Sequence, residues 1–120
     1  MQLSQHWNVN GEFTLGENIG DLGGTAIALK AYHMSLKGKE SPVIDGFTGE
    51  ERFFLGMAQS SRIKWREQFI EYLIKADPHA PDEFRINGVT PNVDDFYTTY
   101  DVKEGDALYL PEDQRVRIWQ

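Results

Sequence analysis

Two acidic side chains, four residues apart, are the first groups in this sequence whose spacing could serve chemistry. Glu17 and Asp21 lie in TLGENIGDLGGTAIAL, residues 14–29. On a helix, residues four apart share one face, with β-carbons about 6 Å apart. In a solvated first turn, such acids complement the positive end of the helix. Beside a buried stretch a carboxylate must be paired, neutralised or bound to a metal, so a metal ligand or an acid–base pair also stays open.

Two cationic or titratable side chains further along the chain are candidates for the same site. His79 lies between two prolines in DPHAP, and Arg85 follows in EFRING. Taken singly, His79 has the pattern of an exposed loop histidine and Arg85 that of a surface salt bridge. His6 and His33 have no neighbours that suggest metal ligation. The G-x-S-x-G motif of serine hydrolases, the phosphate loop and the H-E-x-x-H motif do not occur in these 120 residues.

The elements that must position these side chains are predicted to be helices. Small and apolar residues on every side predict a buried first helix over about residues 15–36. A capping box of Thr48 and Glu51 predicts the start of a second helix, which continues without proline to about residue 75. A third helix is predicted over residues 93–100. NVNGEF is predicted to be a turn, DPHAPDEF irregular, FRINGVTP extended or a turn, and ALYL a short extended piece. We therefore expect one mainly α-helical domain over residues 1–120.

Composition excludes several classes of function. Lys and Arg number 12 against 19 Asp and Glu, which gives a net charge of -7. Phosphate contacts and anionic membrane surfaces require clustered cations, so this balance argues against nucleic acid or membrane as a partner. Cysteine is absent, which excludes a disulfide framework, a cysteine-ligated zinc and a thiol nucleophile. No apolar run approaches the roughly 20 residues of a membrane-spanning helix.

Four motifs, in order, resemble one enzyme family. NGEFTLGENIGDLGG resembles the NGxxTLGENIADLGG segment of the neprilysin family of zinc metalloendopeptidases. SPVIDGFTGEERFFLGMAQ, DPHAPDEFRING and YLPEDQRVRIW are similar to later segments of the same family. The resemblance runs from about residue 10 to residue 119 and covers only the C-terminal part of such an enzyme. It implies the helical C-terminal portion of a thermolysin-like, or gluzincin, catalytic domain.

The resemblance also implies a role for each candidate residue. Glu17 matches the third protein ligand of the catalytic zinc, and Asp21 matches the acid that orients a zinc-bound histidine. His79 matches the histidine that stabilises the anionic tetrahedral intermediate, and Arg85 the arginine that binds a substrate backbone carbonyl. These roles suit the residue types, because hydrolytic zinc takes histidines and a carboxylate, and acids fix its histidine ligands. The implied cofactor is zinc and the implied substrate a peptide.

Small residues in the first helix are interpreted through the same resemblance. Gly20, Gly23 and Gly24 would let this helix pack closely against the helix that carries the two histidine ligands. The family commonly has alanine where this chain has Gly20.

Other departures from the family pattern concern specificity and origin. Ser60 and Ser61 stand where the family often has a valine and a tryptophan that line a side-chain pocket, so a more polar or more open pocket is expected. Val116 stands where animal members have a cysteine, which indicates a bacterial relative without disulfides. Cytoplasm, periplasm and cell envelope all stay open as its compartment.

The largest departure is the missing zinc-binding motif. In the family, H-E-x-x-H lies well upstream of the third ligand, and the 16 residues before Glu17 contain no such motif. We therefore expect a fragment of a peptidase catalytic domain that does not hydrolyse peptides by itself and binds zinc weakly or not at all. An exposed apolar face would favour self-association. Two alternatives stay open: a non-catalytic helical module that binds peptides or a protein partner, and a separate enzyme of unrelated chemistry.

Overall fold

Helices make up most of the chain, as the sequence predicts. A computed structural model describes residues 2–4 and 7–119, so His6 lies outside the described residues. Strands β1 (Gln2–Ser4) and β2 (Trp7–Asn8) pair antiparallel, with Gln2 opposite Asn8 and Ser4 opposite Trp7. Five α-helices follow in the described part: α1 (Gly11–Ser35), α2 (Gly49–Ser60), α3 (Glu67–Ala76), α4 (Asp82–Asn87) and α5 (Asp94–Tyr100). Short 3-10 turns occur at Thr90–Asn92 and Glu112–Gln114.

The first helix begins earlier than predicted, at Gly11 instead of near residue 15. Asn10 is its N-cap, and the Asn10 Oδ1 atom accepts hydrogen bonds from the backbone N–H groups of Glu12 and Phe13, both at 3.1 Å. Such a side chain satisfies N–H groups that have no partner within the helix. The expected turn NVNGEF is therefore wrong: Asn8 ends β2, and from Asn10 the segment is the start of the helix that carries the two acids.

The predicted second helix is two helices. Its start is confirmed, because Thr48 Oγ1 accepts from the Glu51 N–H at 3.1 Å and Glu51 Oε2 accepts from the Thr48 N–H at 2.7 Å. Its continuity to residue 75 is wrong: α2 ends at Ser60, and α3 begins at Glu67. At the break the Ser60 hydroxyl donates to the Met57 carbonyl at 2.7 Å. Serine side chains that bond to nearby backbone groups compete with helix continuation, and two serines in a row stand here.

The region around Arg85 is helical rather than extended. Pro81 precedes α4, and the Pro81 carbonyl accepts from the N–H groups of Phe84 and Arg85 at 2.8 and 3.2 Å. The predictions of an irregular DPHAPDEF and an extended or turn-like FRINGVTP are therefore wrong over Asp82–Asn87, whereas residues 88 and 89 do form a turn. The third predicted helix is confirmed as α5, one residue shorter at its start. Residues 107–110 form no strand.

Three helices share the main core. Leu29 of α1, Phe54 of α2 and Phe96 of α5 are between 2% and 8% exposed, together with Val93 just before α5. The Phe54 and Phe96 rings meet at a steep angle with centroids 5.7 Å apart. Such edge-to-face pairs stabilise beyond the area they bury. This cluster holds the C-terminal half of α1 against α2 and α5.

The first helix is not buried all round, which corrects the sequence expectation. Phe13 is 43% exposed, Ile27 is 56% exposed and Met34 is 71% exposed. The accessible surface is 8645 Å², whereas a folded monomer of 13.8 kDa exposes about 6,600 Å². The radius of gyration is 15.8 Å against about 14 Å for a compact chain of this length. One face of α1 therefore has no packing partner within the described residues.

We expect the substitution Phe96→Ala to lower the free energy of unfolding by about 3 kcal/mol, because it removes a buried ring from the shared core. Phe13→Ala, at a half-exposed ring of α1, is the matched control and should cost well under half of that. Urea denaturation followed by circular dichroism measures both. Equal losses for the two variants would contradict the position of the core.

Candidate functional site

Two ion pairs bring the four candidate residues together. Glu17 and Asp21 lie one turn apart on α1, as their spacing predicts. His79 lies in the loop between α3 and α4, and Arg85 lies on α4. Glu17 Oε2 is 3.0 Å from His79 Nε2, and the Asp21 carboxylate contacts the Arg85 guanidinium. Residues more than 60 positions apart in sequence therefore form one site.

The Asp21–Arg85 pair is bidentate. Arg85 Nε donates to Asp21 Oδ2 and Arg85 Nη2 donates to Asp21 Oδ1, both at 2.7 Å. This hydrogen bonding raises the pKa of Arg85 above its ordinary value, against the opposing effect of burial, so the guanidinium stays charged. Among the described residues, Arg85 Nη1 has no hydrogen-bond partner. The guanidinium is thus fixed along one edge and keeps donors for a ligand.

His79 is held between two carboxylates. Its Nε2 atom faces Glu17, and its Nδ1 atom is 2.7 Å from Asp77 Oδ1. An imidazole donates from both ring nitrogens only in its protonated form, so it can satisfy both carboxylates at once only as the cation. In the neutral form it donates to one of the two carboxylates, and the other contact is weakened.

Asp77 belongs to the site although sequence reasoning did not identify it. The backbone N–H of His79 donates to Asp77 Oδ1 at 2.9 Å, which forms a tight turn across Pro78. The hydrogen bond from this N–H, followed by that of the His79 ring, lowers the pKa of Asp77 below its ordinary value. The sequence does contain a signal for this turn. Asp77 stands two residues before His79, and an aspartate side chain commonly accepts a hydrogen bond from the backbone N–H two residues further on.

The two ion pairs differ in exposure. The side chains of Glu17 and His79 are 45% and 42% exposed, whereas those of Asp21 and Arg85 are 21% and 33% exposed. The inner pair therefore joins α1 to α4, and the outer pair faces solvent. The outer carboxylate and imidazole are available to a metal, a ligand or a developing charge.

The described residues do not form a zinc site by themselves. Hydrolytic zinc requires three protein ligands, and in the described part of the chain no group of three His, Asp or Glu side chains is arranged so that it could hold a metal ion. Both oxygens of Asp21 are bonded to Arg85, which leaves Glu17 as the candidate ligand. His33 pairs with Glu50 at 3.1 Å, away from this site, in keeping with a structural role.

The glycines of α1 have two different environments. A β-carbon at Gly23 would overlap the indole ring of Trp119, so the close approach there is to the C-terminal segment and not to another helix. At Gly20 and Gly24 a β-carbon would meet nothing within 4 Å. These two positions lie on the uncovered part of α1.

Comparison with known proteins decides the family. The sequence model of Peptidase family M13 matches residues 1–116. The chain belongs to peptidase family M13. The resemblance to neprilysin-type zinc endopeptidases, inferred from four motifs, is thereby confirmed.

Individual relatives support the same assignment. An M13 relative, the neutral endopeptidase of Lactococcus lactis subsp. lactis (strain IL1403), is 36% identical over 110 residues, 92% of this chain and 16% of its own length. Human membrane metallo-endopeptidase-like 1 is 38% identical over 121 residues, 98% of this chain and 15% of its own. A crystal structure of Mycobacterium tuberculosis zinc metalloprotease Zmp1 with an inhibitor superposes with a TM-score of 0.92 at 56% identity. That match covers 94% of this chain and 17% of the other.

The matches cover nearly all of this chain but only a small part of each relative. This M13 chain spans about one sixth of the length of the relatives it matches. The predicted fold class, a helical portion of a neprilysin-type catalytic domain, is confirmed by the Zmp1 superposition. None of the helices described is both long enough and apolar enough to cross a membrane.

We expect the pKa of Asp77 to lie below 3.8, its ordinary value, when measured by carboxyl-carbon NMR during an acid titration. Because the folded-state pKa is lowered, the turn is stabilised above pH 3.8, and this stability is lost as pH falls through the folded pKa. His79→Ala should raise the pKa only in part, since the backbone N–H of residue 79 still donates. An Asp77 pKa at or above 3.8 in the unsubstituted protein would contradict this geometry.

Proposed function

We propose that these residues form part of the catalytic domain of an M13 zinc endopeptidase that hydrolyses peptides. The observation that carries the proposal is the convergence of Glu17 with His79 and of Asp21 with Arg85 on one surface. In the whole protein Glu17 supplies one zinc ligand, and the other protein ligands come from outside these 120 residues. Zinc then serves hydrolysis as a Lewis acid.

Arg85 binds a backbone carbonyl of the substrate. Its Nε and Nη2 donors are bonded to Asp21, which fixes the plane of the guanidinium, while Nη1 keeps its N–H groups for an acceptor. A planar group held along one edge presents its remaining donors in a set direction. Each carboxylate oxygen of Asp21 can accept a second hydrogen bond, so Asp21 can also orient a histidine ligand of the metal.

His79 stabilises the anionic intermediate of the reaction. When water adds to the scissile carbonyl carbon, the carbonyl oxygen becomes an anion, and a donor placed there lowers the barrier. Asp77 fixes the ring through Nδ1, which leaves Nε2 to donate toward the substrate. The contact between Nε2 and Glu17 lies at a half-exposed surface, so a substrate oxygen can replace that carboxylate as the acceptor.

The alternative function is a non-catalytic helical module that binds peptides or a protein partner. A row of exposed aromatic rings favours it: Trp65, Phe69 and Tyr72 are between 41% and 61% exposed, and successive ring centroids are 5.1 and 6.0 Å apart. Aromatic side chains are enriched at protein interfaces. A peptide that binds in the absence of zinc and is not cleaved would support this reading.

We expect the 120-residue chain to bind zinc more weakly than micromolar and to leave peptides uncleaved, because one carboxylate cannot replace three ligands. Calorimetric zinc titration and a quenched fluorescent peptide measure both. In the full-length protein, Glu17→Gln should release zinc and lower turnover by at least about 100-fold, since a ligand is lost.

Glu12→Gln is the matched control for the full-length protein, because Glu12 lies on the same helix and is exposed in its first turn. It should keep both the zinc content and the activity. Tight zinc binding with Glu17-dependent cleavage by the 120 residues alone would overturn the proposal that the other zinc ligands lie outside these residues. Unchanged zinc content in the Glu17 variant would overturn the ligand assignment.

We also propose that the isolated chain self-associates through the uncovered face of α1, where Phe13, Ile27 and Met34 are exposed. Ile27→Lys should shift sedimentation toward the monomer, because it places a charge in this apolar face. Val43→Lys is the control, since Val43 is 65% exposed but lies outside α1. A monomeric unsubstituted chain at high concentration would contradict self-association.

A further inference from the structure

Three cations lie close together in an otherwise acidic chain. Arg62, Lys64 and Arg66 stand at alternate positions of residues 62–66, the basic segment, which joins α2 to α3 without regular secondary structure. They are 3 of the 12 Lys and Arg residues in a chain whose net charge is -7. Each side chain is exposed, and none forms an ion pair or a hydrogen bond with the described residues. The basic segment is therefore a local patch of uncompensated positive charge.

The residues between these cations face the candidate site. Ile63 and Trp65 line a cavity of about 320 Å³ that His79 and Arg85 also line. The three cations do not line this cavity and are exposed, so they lie on its solvent side. A peptide that is held at His79 and Arg85 and continues over this cavity would therefore pass the basic segment.

Trp65 fixes the basic segment in place. The indole N–H of Trp65 donates to Asp82 Oδ2 at 2.9 Å, at the start of α4. The Trp65 ring also contacts the Phe69 ring of α3, with centroids 5.1 Å apart. The segment is thereby attached to α3 and to α4, the helix that carries Arg85. A charged surface that is already fixed loses less conformational entropy on binding than a free loop does.

The backbone of the basic segment also has unused hydrogen-bonding groups. In the described part of the chain, the N–H groups of residues 64–66 and the carbonyls of residues 62–65 have no hydrogen-bond partner. A peptide in extended conformation can pair with such groups, as a strand pairs with the edge of a sheet. Backbone pairing recognises a peptide as such, and the three cations then determine which side chains are preferred.

Charge complementarity favours an acidic peptide over other anions. Nucleic acids and anionic membranes are extended polyanions that would also meet the acidic remainder of the chain. A short run of carboxylates contacts only the basic segment, and exposed charges further away than about 8 Å are largely screened at physiological salt. Residues 62 and 66 are at most about 14 Å apart, a length that roughly four residues of an extended peptide match.

We infer that the basic segment is an exosite, a binding surface outside the catalytic groups, for an acidic stretch of the peptide substrate. Arg62, Lys64 and Arg66 are its specificity-determining residues. The inference rests on the proposed function, since the same peptide must also reach His79 and Arg85. It adds a class of substrate to that function: peptides with a short run of glutamate or aspartate on one side of the scissile bond.

The test uses the full-length, zinc-loaded protein encoded by the reading frame that contains these residues. Fluorogenic peptides share one cleavable core and carry four glutamates or four glutamines at the N-terminal or the C-terminal end. At one end the glutamate peptide should have a KM about tenfold lower at low salt, since each exposed ion pair contributes little. The kcat should not change, because this contact is the same in substrate and transition state. Equal KM values at both ends would overturn the inference and leave the proposed function intact.

The decisive variant combines Arg62→Gln, Lys64→Gln and Arg66→Gln. It should abolish the tenfold difference in KM, with zinc content and circular dichroism unchanged, because these side chains are exposed and line neither the cavity nor the core. Salt at about 1 M should abolish the difference in the unsubstituted protein, because screening then acts within a few ångströms. A difference that persists in this variant would overturn the inference.

The matched control removes the same charge at the other end of α2. It combines Lys30→Gln, Lys37→Gln and Lys39→Gln, which change three exposed lysines in and directly after the C-terminal part of α1. The control should keep the tenfold difference. Equal losses in the two triple variants would mean that net charge, and not the basic segment, sets the preference, and would overturn the inference.

Direct binding distinguishes failure of the inference from failure of the proposed function. The probe is the glutamate peptide with its scissile amide reduced to an amine, and fluorescence anisotropy should show binding that the decisive variant weakens and the control keeps. Such binding without cleavage of any fluorogenic peptide would overturn the proposed function and leave the acidic-peptide surface in place. Absence of such binding would overturn the inference. Tighter binding of an oligothymidylate or of phosphatidylserine vesicles, at the same salt, would overturn the choice of an acidic peptide as the partner.

Discussion

The bidentate ion pair between Asp21 and Arg85 is the constraint on which the site depends. It joins α1 to α4 through two hydrogen bonds of 2.7 Å across 64 positions of sequence. Because α1 is a rigid helix, fixing Asp21 also fixes Glu17 one turn earlier. Because α4 begins directly after the His79 loop, fixing Arg85 also limits where His79 can lie. Loss of either partner would leave a partly buried charge unpaired, which costs more than the pair contributes.

The C-terminal segment holds α1 from another side. Asp94, at the start of α5, accepts hydrogen bonds from Arg115 at 2.9 Å and from Arg117 at 3.0 Å, which ties this segment to α5. The Trp119 ring then lies on the backbone at Gly23, two residues after Asp21. A side chain at position 23 would displace this ring, so the glycine serves a contact within the chain. The helix that carries the acids is therefore fixed by α4 and by the C-terminal segment, while its remaining face stays open.

Local signals predicted local structure well. The capping box at Thr48 and the helix over residues 93–100 need only neighbouring residues, and both are confirmed. Two errors in the predicted helix boundaries also had local signals. The paired serines mark the end of α2 at Ser60, and Asn10 marks the N-cap of α1. Both signals were overlooked because the helical spacing of apolar residues continues past Ser60 and becomes clear only after Asn10. The convergence of Glu17 with His79 could not come from spacing, because residues 62 positions apart meet only through tertiary packing. The motif resemblance indicated it. The open face of α1 was equally beyond local reasoning, since apolar composition does not specify which surface is covered.

The two ion pairs differ in strength, and this difference explains how Glu17 and His79 can exchange their mutual contact for a ligand while the site keeps its geometry. The Asp21–Arg85 pair is bidentate and partly shielded, so it keeps its geometry when a ligand arrives. The Glu17–His79 contact joins two half-exposed side chains, and such pairs contribute only about 0–1 kcal/mol. A metal at Glu17 or an anionic oxygen at His79 can therefore replace this contact at little cost. Asp77 keeps the imidazole in place during the exchange, because its carboxylate binds both the ring and the backbone of His79. The rigid pair sets the positions and the weak pair leaves the reactive groups available, which is the arrangement that hydrolysis at this surface would require.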